Sequence, residues 1–142
     1  MKKILSIIVV FVCLSAQAQE VTVARVGKSN FEKIAAFIQK NGRTIVSEEI
    51  PVYKLYSFTD SKKNVHEIRM GGWSNSKIVI DCYYKGNHSI ENCFDWMISE
   101  DSVTAFIYSK HHAQRQFEDV QLAYKELLAM AEKDGLLAKE KK

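Results

Sequence analysis

Hydrophobic residues recur every three or four positions in two segments of this chain. Such spacing places them on one face of an α-helix and predicts two amphipathic helices that pack against a core. The apolar stripe of the first helix consists of Phe31, Ile34, Ala35, Phe37 and Ile38. The stripe of the second helix consists of Ala113, Phe117, Val120, Tyr124, Leu127, Leu128 and Ala131.

Residues at the ends of these segments indicate where each helix begins and ends. Ser29 and Glu32 have the spacing of a capping box, in which the two side chains bond the free backbone N–H groups of a helix start. Glycine readily adopts the left-handed conformation that terminates many helices. We therefore expect Gly42 to end the first helix and Gly135 to end the second.

Segments rich in β-branched and aromatic residues, separated by turn-forming residues, predict strands. They cover residues 21–26, 44–46, 52–58, 65–70, 77–84 and 103–108. Pro51 cannot donate a backbone hydrogen bond, so we expect a kink there that separates the second and third strands, at an edge of the sheet or at a break in strand pairing. The polar turn Thr59–Asn64 predicts that the third and fourth strands form a hairpin.

Residues 85–98, which follow the fifth of these strands, fit two different structures. In the first, the chain returns as a hairpin strand with Cys82 opposite Cys93. That hairpin needs a bulge to bring the apolar side chains onto one face. In the second, Ser89 caps a short helix, which needs no such irregularity and is preferred for that reason. The apolar face of that helix consists of Ile90, Cys93, Phe94 and Met97.

These elements predict an α+β protein with the order β-α-β-β-β-β-(α)-β-α. Consecutive strands joined by short turns indicate an antiparallel β-meander sheet, with the helices packed on one face. No repeat, low-complexity linker or change of composition divides the chain. We therefore expect one domain over residues 19–138, followed by a charged tail at residues 139–142.

The N-terminal residues have the three parts of a bacterial secretory signal peptide. Lys2–Lys3 supply the positive start, Ile4–Leu14 are largely apolar, and Ala16 and Ala18 form an A-x-A cleavage site. The apolar run is far shorter than the ~20 residues needed to span a bilayer. We therefore expect residues 1–18 to be removed, leaving an exported chain, periplasmic or secreted, that has no transmembrane anchor.

Removal of the signal peptide changes both the charge and the cysteine content. Residues 1–18 contain two lysines and no acidic residue, so their loss lowers the formal net charge from +3 to +1. Nothing then favours a nucleic-acid partner, which would need a clustered basic face. The cysteines that remain are Cys82 and Cys93. An oxidising compartment favours a disulfide between them, worth about 3 kcal/mol of stability on the loop-entropy model.

Residues that could carry chemistry form no recognisable motif. The histidines, His66, His88, His111 and His112, do not have the spacing of a zinc site. No G-x-S-x-G nucleophile motif is present. Asp81 interrupts an apolar strand and is either a functional carboxylate or a solvent-facing residue, of which we favour the second. We therefore predict no catalytic residue, metal ligand or cofactor.

Aromatic residues are the best candidates for partner binding. Trp73 lies in a flexible Gly-Gly-Trp-Ser turn, and several tyrosines lie on or beside predicted strands. If these tyrosines share an uncovered face of the sheet, they form a binding surface. The tyrosines in question are Tyr53, Tyr56, Tyr83 and Tyr84.

Two classes of function fit this sequence. The first is a non-catalytic exported module that binds a protein, peptide or glycan. The alternative is a small hydrolase-like enzyme that uses His and Asp or Glu. At least two histidines and a carboxylate within hydrogen-bond reach in one cleft would favour the enzyme.

Overall fold

The structure, a computed structural model, describes residues 19–72, 74–88, 93–107 and 110–140. The predicted signal peptide and residues 141 and 142 lie outside these ranges. For residues 74, 75 and 138–140 only the backbone is described. The domain boundaries predicted from the sequence therefore stay predictions.

The described chain contains seven strands and two helices. The strands are β1 (Gln19–Arg25), β2 (Arg43–Ile45), β3 (Tyr53–Thr59), β4 (Val65–Gly71), β5 (Ser74–Tyr83), β6 (Cys93–Ile98) and β7 (Ser102–Ile107). The helices are α1 (Lys28–Asn41) and α2 (Ala113–Glu140), and short 3-10 turns cover Tyr84–Gly86 and Lys110–His112.

All seven strands form a single antiparallel sheet in the order β1-β7-β6-β5-β4-β3-β2. Strands β2 to β7 run as a meander, and the N-terminal strand β1 pairs with β7 at its far edge. The predicted fold class, an α+β protein with an antiparallel meander and helices on one face, is confirmed. The hairpin of β3 and β4 is also confirmed, with Thr59 opposite Val65 next to the turn.

Alternation of side chains gives the sheet a covered face, on which the helices pack, and an uncovered face. The central strands fill the covered face with residues that are at most 1% exposed. These residues are His66, Ile68, Ile78, Ile80, Cys82, Phe94, Trp96 and Ile98. Their neighbours along each strand point to the opposite face because strand side chains alternate with period two.

Both helices contribute side chains to the core on the covered face. The predicted stripe of α1 is confirmed, since Phe31, Ile34, Phe37 and Ile38 are buried. Helix α1 contacts β3 and β4, α2 contacts β1 and β7, and the two helices contact each other. The buried side chains of α2 include Val120, Ala123, Tyr124, Leu127 and Ala131.

The predicted helix ends were wrong at Ser29 and Gly135, and the end at Gly42 is confirmed but without the left-handed conformation. Helix α1 begins after Gly27, and no side chain caps it, so Ser29 lies inside the first turn. Gly42 does end this helix but in an extended conformation, with φ −78° and ψ 158°. A Cβ atom there would lie 2.8 Å from the carbonyl oxygen of Ile38, so close packing explains this glycine. Helix α2 continues through Gly135 to Glu140.

The preferred short helix after β5 was also wrong, because Cys93–Ile98 form strand β6. Phe94, Trp96 and Ile98 point into the core, as period two requires. The pairing register places Cys82 opposite Phe94 and Tyr83 opposite Cys93. This register differs by one residue from the predicted hairpin, and a shift of one residue moves every side chain to the other face.

The predicted disulfide is contradicted by the same register. Cys82 lies on the covered face and is fully buried, whereas Cys93 lies on the uncovered face and is partly exposed. Both are free thiols. A bridge requires Cβ vectors that converge, and these point to opposite faces.

Candidate binding surface

The uncovered face of the sheet carries a mixture of apolar, aromatic and charged side chains. Each lies opposite a residue of the neighbouring strand, and each is partly or fully exposed. The face includes Tyr53, Leu55, Glu67, Arg69, Val79, Asp81, Tyr83, Asp95, Met97 and Phe106. It therefore combines apolar contact area with charges of both signs.

A pocket of about 220 Å³ lies on this face, at the end of the sheet where β3, β4 and β5 meet. We call it the Tyr53 pocket. Ile50 comes from the segment before β3 and supplies one wall. Gly71 and Gly72 have φ values of 100° and 73°, a conformation that favours glycine, and let the chain turn beside this wall. The pocket is lined by Ile50, Tyr53, Arg69, Gly71, Gly72, Lys77 and Val79.

Three carboxylates form a row across the middle of the uncovered face. The register places Glu67 of β4 opposite Asp81 of β5, and Asp81 opposite Asp95 of β6. Partial burial, a hydrogen bond with Asp95 and the charge of Asp95 raise the pKa of Asp81 to about 6, against the opposing effect of Arg69. A hydrogen bond between two carboxyl groups needs a proton on one of them, so this pair holds a proton in mildly acidic solution.

Arg69 joins the row of carboxylates to the Tyr53 pocket. Its Nη2 donates to Oδ2 of Asp81 over 3.2 Å, and its side chain also lines the pocket. Arg69 therefore lies between Asp81 and the space in which a ligand would bind.

Tyr83 lies at the other end of the uncovered face. Its ring centroid is 4.2 Å from that of His88. Burial and a hydrogen bond to Glu67 raise the pKa of its hydroxyl to about 12. The hydroxyl is therefore a neutral donor to the Glu67 carboxylate.

The aromatic residues proposed for partner binding occupy different parts of the structure. Tyr53 and Tyr83 lie on the uncovered face, as the binding hypothesis requires. Tyr56 points to the covered face and packs edge-on against Phe37, with ring centroids 5.3 Å apart. Tyr84 is in a 3-10 turn, with the guanidinium of Arg115 4.5 Å above its ring. Trp73 lies outside the described residues.

A second polar group is buried on the covered face, around His66. Its Nε2 is 2.9 Å from Oδ2 of Asp60, and Nε1 of Trp96 donates to its Nδ1 over 3.1 Å. Because the indole can only donate, Nδ1 must accept, and the ring proton sits on Nε2 and is donated to Asp60. His66 also stacks on Phe58 at 4.8 Å, and burial lowers its pKa. The structure thus holds a neutral, fully bonded histidine.

Cys82 lies opposite His66 on the covered face, which places a thiol, an imidazole and a carboxylate in one region. The arrangement resembles a nucleophile and its base in composition only. Both nitrogens of His66 are already bonded, to Asp60 and to Trp96, so neither can take a proton from Cys82. Burial raises the pKa of the Cys82 thiol well above its usual range, and the side chain is 0% exposed.

Asp60 also organises the turn between β3 and β4. Its Oδ1 accepts the backbone N–H groups of Lys62 and Asn64 over 2.8 and 3.0 Å. Lys62 Nζ then bonds the buried Asp119 of α2 over 3.0 Å. These contacts tie the turn to the sheet and to α2, so the role of the Asp60–His66 pair is to hold the fold.

The other histidines are spread over the surface. His88, His111 and His112 are exposed. Within the part of the chain that the structure describes, no three His, Cys, Asp or Glu side chains are grouped so as to hold a metal ion. In the same part, no helix has the length and hydropathy needed to cross a bilayer.

Sequence reasoning missed Arg69 and Lys77, the two cationic groups at the Tyr53 pocket. The signal was present, because both occupy outward positions of strands whose inward positions are apolar. Their convergence could be found only with the register of β4 against β5.

Comparison with known proteins gives no relative for this chain. No protein-family model matches it, and no curated protein and no solved structure matches it.

Proposed function

We propose that this chain is an exported, non-catalytic module that binds a protein, peptide or glycan partner through the uncovered face of its sheet. Its place of action is the cell envelope or the outside of the cell. The observation that carries the proposal is the asymmetry of the sheet. Both helices pack on one face, and the other presents apolar side chains, an arginine and a pocket.

The chemistry of the uncovered face supports binding. Tyr53, Leu55 and Val79 offer apolar area next to the charged side chains of Arg69 and Lys77. Interfaces combine an apolar centre with polar groups that fix the orientation of the partner. Aromatic residues and arginine are the types that contribute most to such contacts.

The hydrolase-like alternative has less support among the described residues. It requires at least two histidines and a carboxylate that converge in one cleft. The His66–Asp60 pair is buried, with both imidazole nitrogens bonded. His88 packs against the ring of Tyr83 on the uncovered face, so it does not converge with His66, which lies on the covered face.

The proposal is tested by comparing two leucine variants of the chain that starts at Gln19. Leu55→Glu places a charge on the uncovered face, and Leu137→Glu places the same charge at an exposed position of α2. Tagged native and variant chains are incubated with envelope extract and culture supernatant from the source cells. Melting curves establish that all three chains are folded.

We expect one or more partners to be retained by the native chain and by Leu137→Glu, and lost with Leu55→Glu. Equal retention by all three chains would mean that the uncovered face is not the contact surface. Turnover of generic ester, peptide or glycoside substrates that survives in Leu55→Glu would favour the enzyme instead.

A further inference from the structure

The Tyr53 pocket is too small for a typical small-molecule ligand. Its volume is about 220 Å³, whereas pockets for drug-sized ligands measure about 300–1,000 Å³. Its walls are the apolar side chains of Ile50 and Val79 and the ring of Tyr53. A space of this size and polarity suits one apolar side chain.

The rim of the pocket is positive. Lys77 and Arg69 both line it, and none of the described residues of the lining is acidic. Arg69 is bonded to Asp81, but among the described residues Lys77 makes no ion pair. Charge complementarity therefore calls for a negative group directly beside the apolar side chain.

Both requirements are met by the last residue of a polypeptide, which carries a side chain and an α-carboxylate on the same Cα atom. An internal Asp or Glu has the charge but leaves the apolar walls without a partner. A glycan has no apolar side chain to bury. Capture of a C-terminal carboxylate is one of the recurrent modes of peptide recognition.

We propose that the Tyr53 pocket binds the apolar C-terminal residue of a partner chain, with its carboxylate at Lys77 and Arg69, and that Asp81 competes with this carboxylate for Arg69. This proposal rests on the binding function proposed above and names the part of the partner that is recognised. It concerns the same face but makes a narrower claim.

The competition follows from the groups that surround Asp81. Glu67 and Arg69 face it from β4, Asp95 and Cys93 face it from β6, and Lys77 and Tyr83 lie on its own strand. When Asp81 is ionised, it neutralises Arg69 through the 3.2 Å hydrogen bond.

Protonation of Asp81 removes the charge that holds Arg69. The hydrogen bond between Asp81 and Asp95 then uses that proton, and the guanidinium is left to the incoming carboxylate. With the pKa of Asp81 at about 6, the change falls between pH 7.5 and pH 5. An α-carboxylate stays ionised over this range because its pKa is about 3.5. Binding should therefore be tighter at pH 5.

The test uses fluorescein-labelled pentapeptides of sequence Gly-Ser-Gly-Ser followed by Leu, Val or Phe, each with a free carboxylate and as the C-terminal amide. Fluorescence anisotropy measures their dissociation constants for the chain that starts at Gln19. We expect at least one acid peptide to bind, and its amide to bind about tenfold more weakly or worse, since the charge-assisted hydrogen bonds are lost.

Three variants assign the effect to named groups. Lys77→Gln should weaken binding of the acid peptide several-fold, whereas Lys125→Gln, at an exposed position of α2, should not change it. Asp81→Asn should bind at pH 7.5 as tightly as the native chain does at pH 5 and should lose the pH dependence.

Other results would overturn the proposal. If no acid peptide binds, or if acid and amide bind equally, the pocket does not recognise a C-terminal carboxylate. If Asp81→Asn keeps the native pH dependence, Asp81 does not compete for Arg69. In both cases the loss of partner retention in Leu55→Glu would still support binding through the uncovered face by another contact.

Discussion

The two faces of the sheet hold ionisable groups in contrasting ways. On the covered face, His66 and Asp60 are fully buried, and the histidine has a partner at each ring nitrogen. On the uncovered face, the Asp81 side chain is 23% exposed, and its cross-strand neighbours, Glu67 and Asp95, are also acidic. In the first arrangement both imidazole nitrogens have a hydrogen-bond partner. In the second, carboxylates of like charge lie side by side.

This difference shows how a shift of one residue along a strand changes the chemistry of a side chain. His66 and Glu67 are neighbours in sequence, as are Asp81 and Cys82, yet each pair is divided between the two faces. The covered face contains groups that stabilise the fold. The uncovered face contains charged groups that are partly or fully exposed, which is why the binding proposals concern that face.

The largest expected effect comes from a leucine under the covered face. Leu127 is 0% exposed, so Leu127→Ala should lower the free energy of unfolding by about 2–5 kcal/mol because it leaves a cavity. Leu136 of the same helix is 63% exposed, and Leu136→Ala should change the free energy of unfolding by less than about 0.5 kcal/mol. Urea denaturation measures both. Equal effects would mean that α2 does not pack as described.

A smaller difference in the free energy of unfolding is expected between variants of two adjacent residues of β6, Trp96 and Asp95. Trp96→Phe keeps an aromatic ring in the core but removes the N–H donor to Nδ1 of His66, which should cost about 1–3 kcal/mol. Asp95→Asn keeps a hydrogen-bonding side chain opposite Asp81 on the uncovered face and removes a like charge, so it should not destabilise the chain by more than about 0.5 kcal/mol. Urea denaturation at pH 7.5 measures both. A reversed order would contradict the assignment of faces.

His66 on the covered face and Asp81 on the uncovered face should make the stability of the fold depend on pH with opposite signs. Burial lowers the pKa of His66 from 6.5, so the unfolded chain binds the proton more readily, and this group makes stability fall as the pH drops below 6.5. The pKa of Asp81 is raised from 3.8 to about 6. The stability contributed by its protonation is therefore fully present below pH 3.8 and is lost as the pH rises through about 6.

The variant Asp81→Asn isolates the second contribution. At pH 7 it should be more stable than the native chain, because it removes a partly desolvated charge beside another carboxylate. The difference should shrink as the pH falls from about 6 towards 3.8. Urea denaturation across this range measures it. A difference that does not change with pH would mean that Asp81 titrates with its ordinary pKa.

The sequence predicted the elements whose patterns are local. The apolar spacing from Phe31 to Ile38 fits a helix and no other element. The polar turn before Val65 predicts a hairpin. The segment after β5 was different, since Cys93, Phe94 and Met97 fit a helix as well as a strand. The interactions that decide between them are long-range, chiefly the burial of Phe94 and Trp96 under the helices.

The candidate site was predictable only in part, because it depends on register and on chain reversal. Tyr53 and Tyr83 were identified from their residue type and lie on the uncovered face. The approach of Arg69 to Asp81 requires the register of β4 against β5. The wall formed by Ile50 requires a loop that folds back over the sheet, which no periodicity in the sequence encodes.

The central claim, that neighbouring strand positions lie on opposite faces with one face covered, is tested most directly by the two cysteines. Burial raises the pKa of Cys93 to about 11, but its side chain is partly exposed, whereas Cys82 is fully buried. The measurement is the intact mass of the unreduced chain that starts at Gln19, after iodoacetamide treatment, first folded and then unfolded in guanidinium, with peptide mapping of the modified residue.

We predict one adduct, at Cys93, in the folded chain, and a second adduct, at Cys82, after unfolding without any reductant. Equal rates of modification at the two cysteines in the folded chain would contradict the covered face. If no adduct formed until a reductant was added, the cysteines would be bonded to each other and the register of β5 against β6 would be wrong.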